Sequence, residues 1–279
     1  MRIDLHAHSS ASDGTDSPAG LVAAAAAAGL DVVALTDHDT VRGWDEALAA
    51  VPRGLRLVRG AEISCVHDGV SLHLLAYAFD PAHRGLADEM AMALDDRVPR
   101  AKAIVAKLAA AGHPVTWESV LAQLQDGATV GRPHIADALV AAGVVADRSE
   151  AFDTMLHDGS EFFVGHYYVE AEAAVRLVRD AGGVPVLAHP AAAKRGHTVS
   201  EDSIRAMAAA GLAGLEVEHR DNAPESRDRL RALAGELGLL TTGASDYHGD
   251  GKPNRLGENT TSDDVLEALL AQVRSDVTT

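Results

Sequence analysis

Histidines and carboxylates recur in this sequence in short, similar settings. His6-Ala7-His8 follows an apolar start, Thr36-Asp37-His38-Asp39 closes a β-branched run, and Asp246-Tyr247-His248 follows another. Glu62, His73 and His189-Pro190 lie in or just after three further apolar runs. Side chains two apart in an extended chain point the same way, so His6 and His8 present two imidazoles on one face and can grip one ion. A lone His-x-His is equally an ordinary polar strand end, and recurrence is what separates the two. So many titratable groups would be costly to bury together unpaired, a cost that several divalent cations remove. The chemistry favoured is a metal centre of imidazole and carboxylate donors, a set that suits manganese, iron or zinc. The single Cys65 excludes a thiolate cluster and an internal disulfide.

The elements that must position these residues alternate along the chain. Residues 3–5, 32–35, 57–62, 72–78, 184–188, 214–218 and 239–243 read as strands, and 18–28, 43–50, 170–181, 200–210 and 225–237 as helices. Ser17-Pro18 before the alanine tract and Gly29 after it give that helix a cap, a proline at its first position and a stop. The alternation predicts an α/β fold of parallel βαβ units, as a barrel or a doubly wound sheet. In such folds the strand C-terminal ends share one rim, where the six histidines named above would converge. Between about 95 and 166 no strand is evident. Helical patterns over 99–111, 116–124, 133–142 and 149–156 predict a small inserted domain, with ends near Arg97 and His166, that covers the ligand site. The expected division is therefore 1–96 and 167–279 for the two parts of the α/β body and 97–166 for the insertion.

With 279 residues, 47% hydrophobic and 23% charged, the chain has ample material for a core and is not disordered. A net charge of −17 without any run of Lys and Arg argues against long nucleic acid, while leaving room for a short anionic ligand in a pocket. No stretch approaches the ~20 apolar residues of a membrane span, and the charged start lacks the apolar core of a secretory signal, so a cytoplasmic protein is expected. Nothing in the sequence fixes an oligomeric state.

The order and placement of the motifs resemble the PHP (polymerase and histidinol phosphatase) family of metal-dependent phosphoesterases. The resemblance covers nearly the whole chain through His6-Ala7-His8, the Asp13-Gly14 turn, Thr36-Asp37-His38-Asp39, Glu62, His73, His189-Pro190 and Asp246-x-His248. It implies a distorted (β/α)7 barrel with two or three divalent metal ions; periodicity alone gives only α/β. Carried over position by position, it implies one ion on His6, His8, Glu62 and Asp246. A second would share Glu62 and take His73 and His189, and a third would use Asp13, His38 and His248. Some relatives have histidine where Asp13 stands. The implied reaction is attack on a phosphate ester by metal-activated hydroxide, without a covalent nucleophile. Three divalent ions against the charges of Asp13, Glu62 and Asp246 would leave the centre cationic and hospitable to a phosphate dianion.

Gly131-Arg132-Pro133-His134 resembles a motif in the inserted domain of one branch of the family, and it sets Arg132 and His134 at a helix start, where N–H groups favour anions. Arg97 and Arg100 resemble that branch's basic pair at the other end of the insertion, and Lys102 could join them on a second phosphate. The competing view is an arginine that merely pairs a nearby carboxylate, or solvated helix charge. His219, after Glu216-Val217-Glu218, is the candidate to orient phosphate or protonate the leaving oxygen. The branch often has an aromatic where Glu218 stands. Lys194 and Arg195 follow His189-Pro190 within reach of a rim ligand. His67, His83, His113, His157, His166 and His197 receive no role. The expected activity is hydrolysis of a phosphate monoester of a small nucleotide, such as a 3′,5′-bisphosphonucleotide. The alternatives are an exonuclease on short RNA or DNA ends, a histidinol-phosphate-type phosphatase and a catalytically silent metal-binding scaffold.

Overall fold

The computed structural model describes residues 1–124, 128–192 and 198–274. In chain order its strands are β1 (Ile3–Asp4), β2 (Val32–Leu35), β3 (Arg56–His67), β4 (Val70–Tyr77), β5 (Val169–Glu170), β6 (Val184–Leu187), β7 (Gly214–Glu218) and β8 (Leu240–Gly243). All except β5 follow one another around the core in the order β1-β2-β3-β4-β6-β7-β8, and β5 adds to β3 from the side. The two ends of this path are drawn together after β8, where Ala7 bridges Tyr247, Ile3 bridges Thr261 and His8 N–H donates to Tyr247 O at 2.8 Å. The result is a mixed α/β, nearly closed seven-strand barrel.

Alternation along the strands sorts the core. Val32 and Ala34 of β2 point into the barrel with Ile3, Leu5, Val58 and Leu75, whereas Val33 and Leu35 point out toward the helices. Both faces are covered, so the strand reads as a continuous apolar run. The outer helices include α1 (Pro18–Ala27), α2 (Trp44–Ala50), α7 (Ala171–Asp180), α8 (Glu201–Ala210) and α9 (Pro224–Leu237). Ser17 Oγ accepts from Gly20 N–H at 3.0 Å and caps α1 as its sequence predicts. The sequence reading missed α10 (Asp263–Leu270), whose Leu266 and Leu269 fill the barrel floor beside Leu5 and Val58.

One expectation needs correction: the strands are not all parallel. β3 and β4 form an antiparallel hairpin, and β4 pairs antiparallel with β6. The cause is the two-residue connection Asp68-Gly69, with φ of 49° and 76°, the left-handed pair that a tight hairpin turn requires. Reversal of β4 brings His73 to the rim near the start of its strand, paired with Ser64 and diagonal to Glu62.

α3 (Arg84–Ala110) is a single 27-residue helix with Pro99 inside it. Leu86 and Met90 pack in the layer between the barrel and its outer helices, while Ala101, Ile104, Val105 and Leu108 belong to a separate apolar cluster. The expected boundary at 97 thus falls within a continuous helix, because Pro99 interrupts the hydrogen-bond ladder without ending it. The second cluster is completed by α4 (Trp117–Leu121), α5 (Arg132–Ala141), α6 (Arg148–Ala151) and the π-turn Phe152–Leu156 that continues α6. No helix among the described residues is long and apolar enough to cross a membrane.

Candidate metal centre

The chain delivers its polar groups to the rim through the turns that leave each strand. Asp39, His189 and Asp246 all have left-handed backbones, with φ of 52°, 28° and 55°, a conformation that costs a non-glycine residue roughly 1–3 kcal/mol and turns the chain sharply. Gly14 serves the same end differently. A Cβ there would stand 2.4 Å from His8 O, so only glycine lets the loop fold back over His8 and bring Asp13 down onto it.

The nine residues of the implied ligand set converge. His6 Nε2 and His8 Nε2 are 3.0 Å apart, Glu62 Oε2 lies 3.4 and 3.2 Å from them, and Asp246 Oδ1 lies 3.5 and 3.4 Å from them. Donors at the corners of a tetrahedron around a metal with bonds of about 2.1 Å are separated by about 3.4 Å. The other oxygen of Glu62, Oε1, faces His73 Nδ1 at 2.7 Å and His189 Nε2 at 3.1 Å. Asp13 Oδ1 is 3.3 Å from His248 Nε2, and Asp13 Oδ2 is 3.7 Å from His38 Nε2. His38 straddles two groups, since its Nδ1 is 3.1 Å from Glu62 Oε2.

The donor set fits divalent ions by two further tests. His8 Nδ1, His38 Nδ1 and His248 Nε2 are buried without a hydrogen bond, a cost that bound ions would offset. Burial opposes ionisation of Asp13, Glu62 and Asp246, yet facing imidazoles, and Lys252 in the case of Asp246, hold all three well below the usual carboxylate range. Burial likewise opposes a charged His8, but Asp246 and Glu62 raise it to about 9, while burial and Lys252 press His248 down to about 4. Three fixed negative charges in a buried bowl call for cations.

Four other buried carboxylates surround this bowl and do different work. Glu216 Oε1 accepts from His6 Nδ1 at 3.0 Å and Oε2 accepts from His189 N–H at 2.8 Å. With its Nδ1 proton committed to Glu216, His6 must present Nε2 as a lone pair toward Glu62 and Asp246. Glu216 is therefore an orienting residue, although it is close enough to His6 and His189 to serve as a ligand. Asp37 accepts from Ser9 and Ser12 and fixes the loop carrying Asp13, while Asp39 accepts from Ser64 N–H and Oγ and from Arg97 Nη2. Asp4 accepts from the N–H groups of Ser245 and Gly257 beyond β8. Sequence reasoning missed Glu216. The signal was an acid in β7 between Leu215 and Val217, both fully buried.

A cavity of about 610 Å³ opens from the bowl and is roofed by the 101–164 cluster. Asp13, His38, His73, His189 and His248 form its floor, and Arg97, Arg100, Arg132, Arg148, Arg220 and Lys252 reach its walls. A family model described as the PHP domain matches residues 4–173, the stretch that carries six of the nine residues of the implied ligand set and most of the roof.

 These are His6, His8, Asp13, His38, Glu62 and His73. The chain belongs to the PHP family. Among PHP relatives, a 3′,5′-nucleoside bisphosphate phosphatase of Chromobacterium violaceum is 33% identical over 91% of this chain and 89% of its own length. A 5′-3′ exoribonuclease of Haemophilus influenzae is 35% identical over 88% of this chain and 90% of its own. A solved structure from Bifidobacterium adolescentis superposes with a TM-score of 0.94 at 44% identity, covering 98% of this chain and 97% of that one. This PHP chain is accordingly a metal-dependent phosphoesterase, a hydrolase.

The remaining residues singled out in the sequence are dispersed. Arg97 donates to Asp39 at 2.5 Å, and Arg100 donates from Nε to Val164 O at 3.0 Å. Arg97 Nε and Arg100 Nη2 are left buried without a hydrogen bond on the cavity wall. Arg132 lines the cavity too, but its Nη1 already donates to Asp158 at 2.6 Å and to Leu156 O at 2.9 Å. His134 caps its own helix, Nδ1 accepting from Gly131 N–H at 3.0 Å, and Lys102 lies over the Trp117 ring away from the cavity lining. His219 is buried, with Nδ1 accepting from Asp221 N–H at 3.1 Å and Nε2 3.7 Å from Asp246 Oδ2, so it stands behind a bowl carboxylate and not on the cavity wall. Lys194 and Arg195 lie outside the described residues. Lys252, which the sequence reading passed over, lines the cavity and donates to Asp246 Oδ2 at 2.9 Å.

Proposed function

We propose that this PHP enzyme hydrolyses a phosphate monoester of a small nucleotide, with a nucleoside 3′,5′-bisphosphate as the substrate class. The observation that carries this reading is a pair of buried donors without a hydrogen bond, Arg97 Nε and Arg100 Nη2, on side chains that line a cavity whose floor is the metal centre. A substrate with one phosphate needs only the floor. A second phosphate gives those donors a partner, and charge-assisted hydrogen bonds of this kind are the strong ones.

In this reading His6, His8, Glu62 and Asp246 hold one ion, Glu62, His73 and His189 a second, and Asp13, His38 and His248 a third. Bound divalent ions would supply an activated water and a Lewis acid for the phosphoryl oxygens. Glu216 orients His6 and His189, His219 and Lys252 position Asp246, and the segment 97–166 closes over the ligand and excludes water. The similarity to a nucleoside bisphosphate phosphatase supports this choice. The equally close similarity to an exoribonuclease supports a second reading, in which the remote anion is the next phosphate of an RNA end. Phosphate and nucleotide release from a bisphosphonucleotide, its monophosphate and a 5′-phosphorylated oligoribonucleotide, each with added manganese, tests both. The proposal expects the bisphosphonucleotide to give the highest kcat/KM, and a clear preference for the oligonucleotide would replace it with the second reading.

A further inference from the structure

Among the described residues six cations line the cavity, and they differ in what answers their charge. Arg97 faces Asp39 at 2.5 Å, Arg132 faces Asp158 at 2.6 Å, Arg148 faces Asp137 at 2.5 Å and Arg220 faces Glu258 at 3.4 Å. None of these four acids belongs to the metal-binding set. Arg100 meets only a backbone carbonyl, Val164 O. Lys252 is different again. Its Nζ donates to Asp246 Oδ2 at 2.9 Å, and Asp246 Oδ1 lies 3.5 and 3.4 Å from His6 and His8 Nε2.

The acid that answers Lys252 is thus one that an ion would claim. A carboxylate whose charge is shared with a divalent ion no longer neutralises the ammonium, which then requires an anion from the cavity side. The side chain is 33% exposed, and among the described residues Asp246 takes only one of its three N–H donors. The loop that carries it is fixed on both sides. Gly251 N–H donates to His248 O at 3.3 Å, and Asn254 Nδ2 donates to Ser245 O at 2.6 Å, so Lys252 is tied to the stretch 245–248 that holds Asp246. A fixed cation beside the bowl and open to the cavity meets the anion that reacts there, and charge-assisted hydrogen bonds of this kind are the strong ones.

We propose that Lys252 is a catalytic residue that donates a hydrogen bond to the phosphate undergoing hydrolysis, its ammonium bridging Asp246 and a phosphoryl oxygen. The inference needs only a phosphate ester at the metal centre, so it stands whichever nucleotide class is cleaved.

Inorganic phosphate is the probe. Calorimetric titration of phosphate into the full chain loaded with manganese reads the anion, and titration of manganese against a competing chelator reads the metal. Lys252→Met keeps the stem and removes the charge. Phosphate affinity is expected to fall roughly tenfold or more, and Lys252→Arg to restore most of it. Manganese affinity should hold or rise, because a repelling cation is gone while His219, its Nε2 3.7 Å from Asp246 Oδ2, still flanks the carboxylate. The value of kcat/KM should fall by the same factor for a bisphosphonucleotide and its monophosphate, since each places one phosphate on the floor. Unchanged phosphate affinity overturns the proposal, and weaker manganese binding alongside it would make Lys252 a support of Asp246 alone. A parallel loss of both affinities that arginine does not rescue assigns a structural role and overturns it too. Absence of phosphate binding by the loaded wild type also overturns it, and leaves the nucleotide reading to its own assay.

Discussion

Glu216→Gln exchanges one oxygen for an amide nitrogen and leaves the shape of the side chain unchanged, yet the structure gives it a large expected effect. Both carboxylate oxygens accept, from His6 Nδ1 at 3.0 Å and from His189 N–H at 2.8 Å, and the side chain is fully buried. An amide can satisfy only one of these donors, and its NH2 group then faces the other. Because the His189 donor is a backbone N–H that cannot change, the amide oxygen is expected to stay with it and the NH2 group to oppose His6. The ring then takes the other tautomer, with its proton on Nε2, where the ion should bind. One hydrogen bond to a charged group is worth ~1.5–3 kcal/mol, and loss of a residue that orients a metal ligand typically lowers affinity ten- to a hundredfold. Metal titration against a competing chelator, followed by metal analysis at saturation, reads both the affinity and the stoichiometry. Weaker binding with an unchanged number of ions is the expected outcome. Loss of one full equivalent at saturation would make Glu216 a ligand, and unchanged affinity would refute the orienting role altogether.

Arg100→Ala should lower kcat/KM for a bisphosphonucleotide ten- to a hundredfold while leaving its monophosphate nearly untouched; Arg132→Ala should do less, because Asp158 already answers its charge. Kinetics on the two substrates separate these cases, and an equal loss on both would place Arg100 at the reacting phosphate. Gly14→Ala sets a methyl group 2.4 Å from His8 O, so the loop must shift and take Asp13 with it. A destabilisation of ~1–3 kcal/mol in denaturant unfolding is expected, with fewer ions bound. In the metal-free protein His8 is raised to about 9, so its contribution to stability is fully present below about pH 6.5 and fades as the pH rises toward 9. Thermal melts of chelated protein should fall across that window, and added manganese should restore them, since ligands that bind only the folded state stabilise it.

Much of the centre was legible because strand ends are local features. His6-Ala7-His8, Thr36-Asp37-His38-Asp39 and Asp246-Tyr247-His248 each announce a strand that runs out at a polar turn, and the structure gathers all three at one rim. The Asp68-Gly69 hairpin was equally local, and treating every strand as part of a parallel unit hid it. What the sequence could not carry was the pairing of charges across distant segments. Arg132 and Arg100 look alike in sequence, and only the placement of Asp158 and Val164 shows that one is neutralised and the other is not.

The central claim is that Glu62 joins two ions through its separate oxygens, with Oε2 turned toward His6 and His8 and Oε1 toward His73 and His189. A crystal structure of the manganese-loaded protein, phased to locate anomalous scatterers, measures this directly. The account predicts at least two peaks, each about 2.0–2.2 Å from a different oxygen of Glu62, with Glu216 on neither. A single peak bound by both oxygens of Glu62, or a peak coordinated by Glu216, would contradict it.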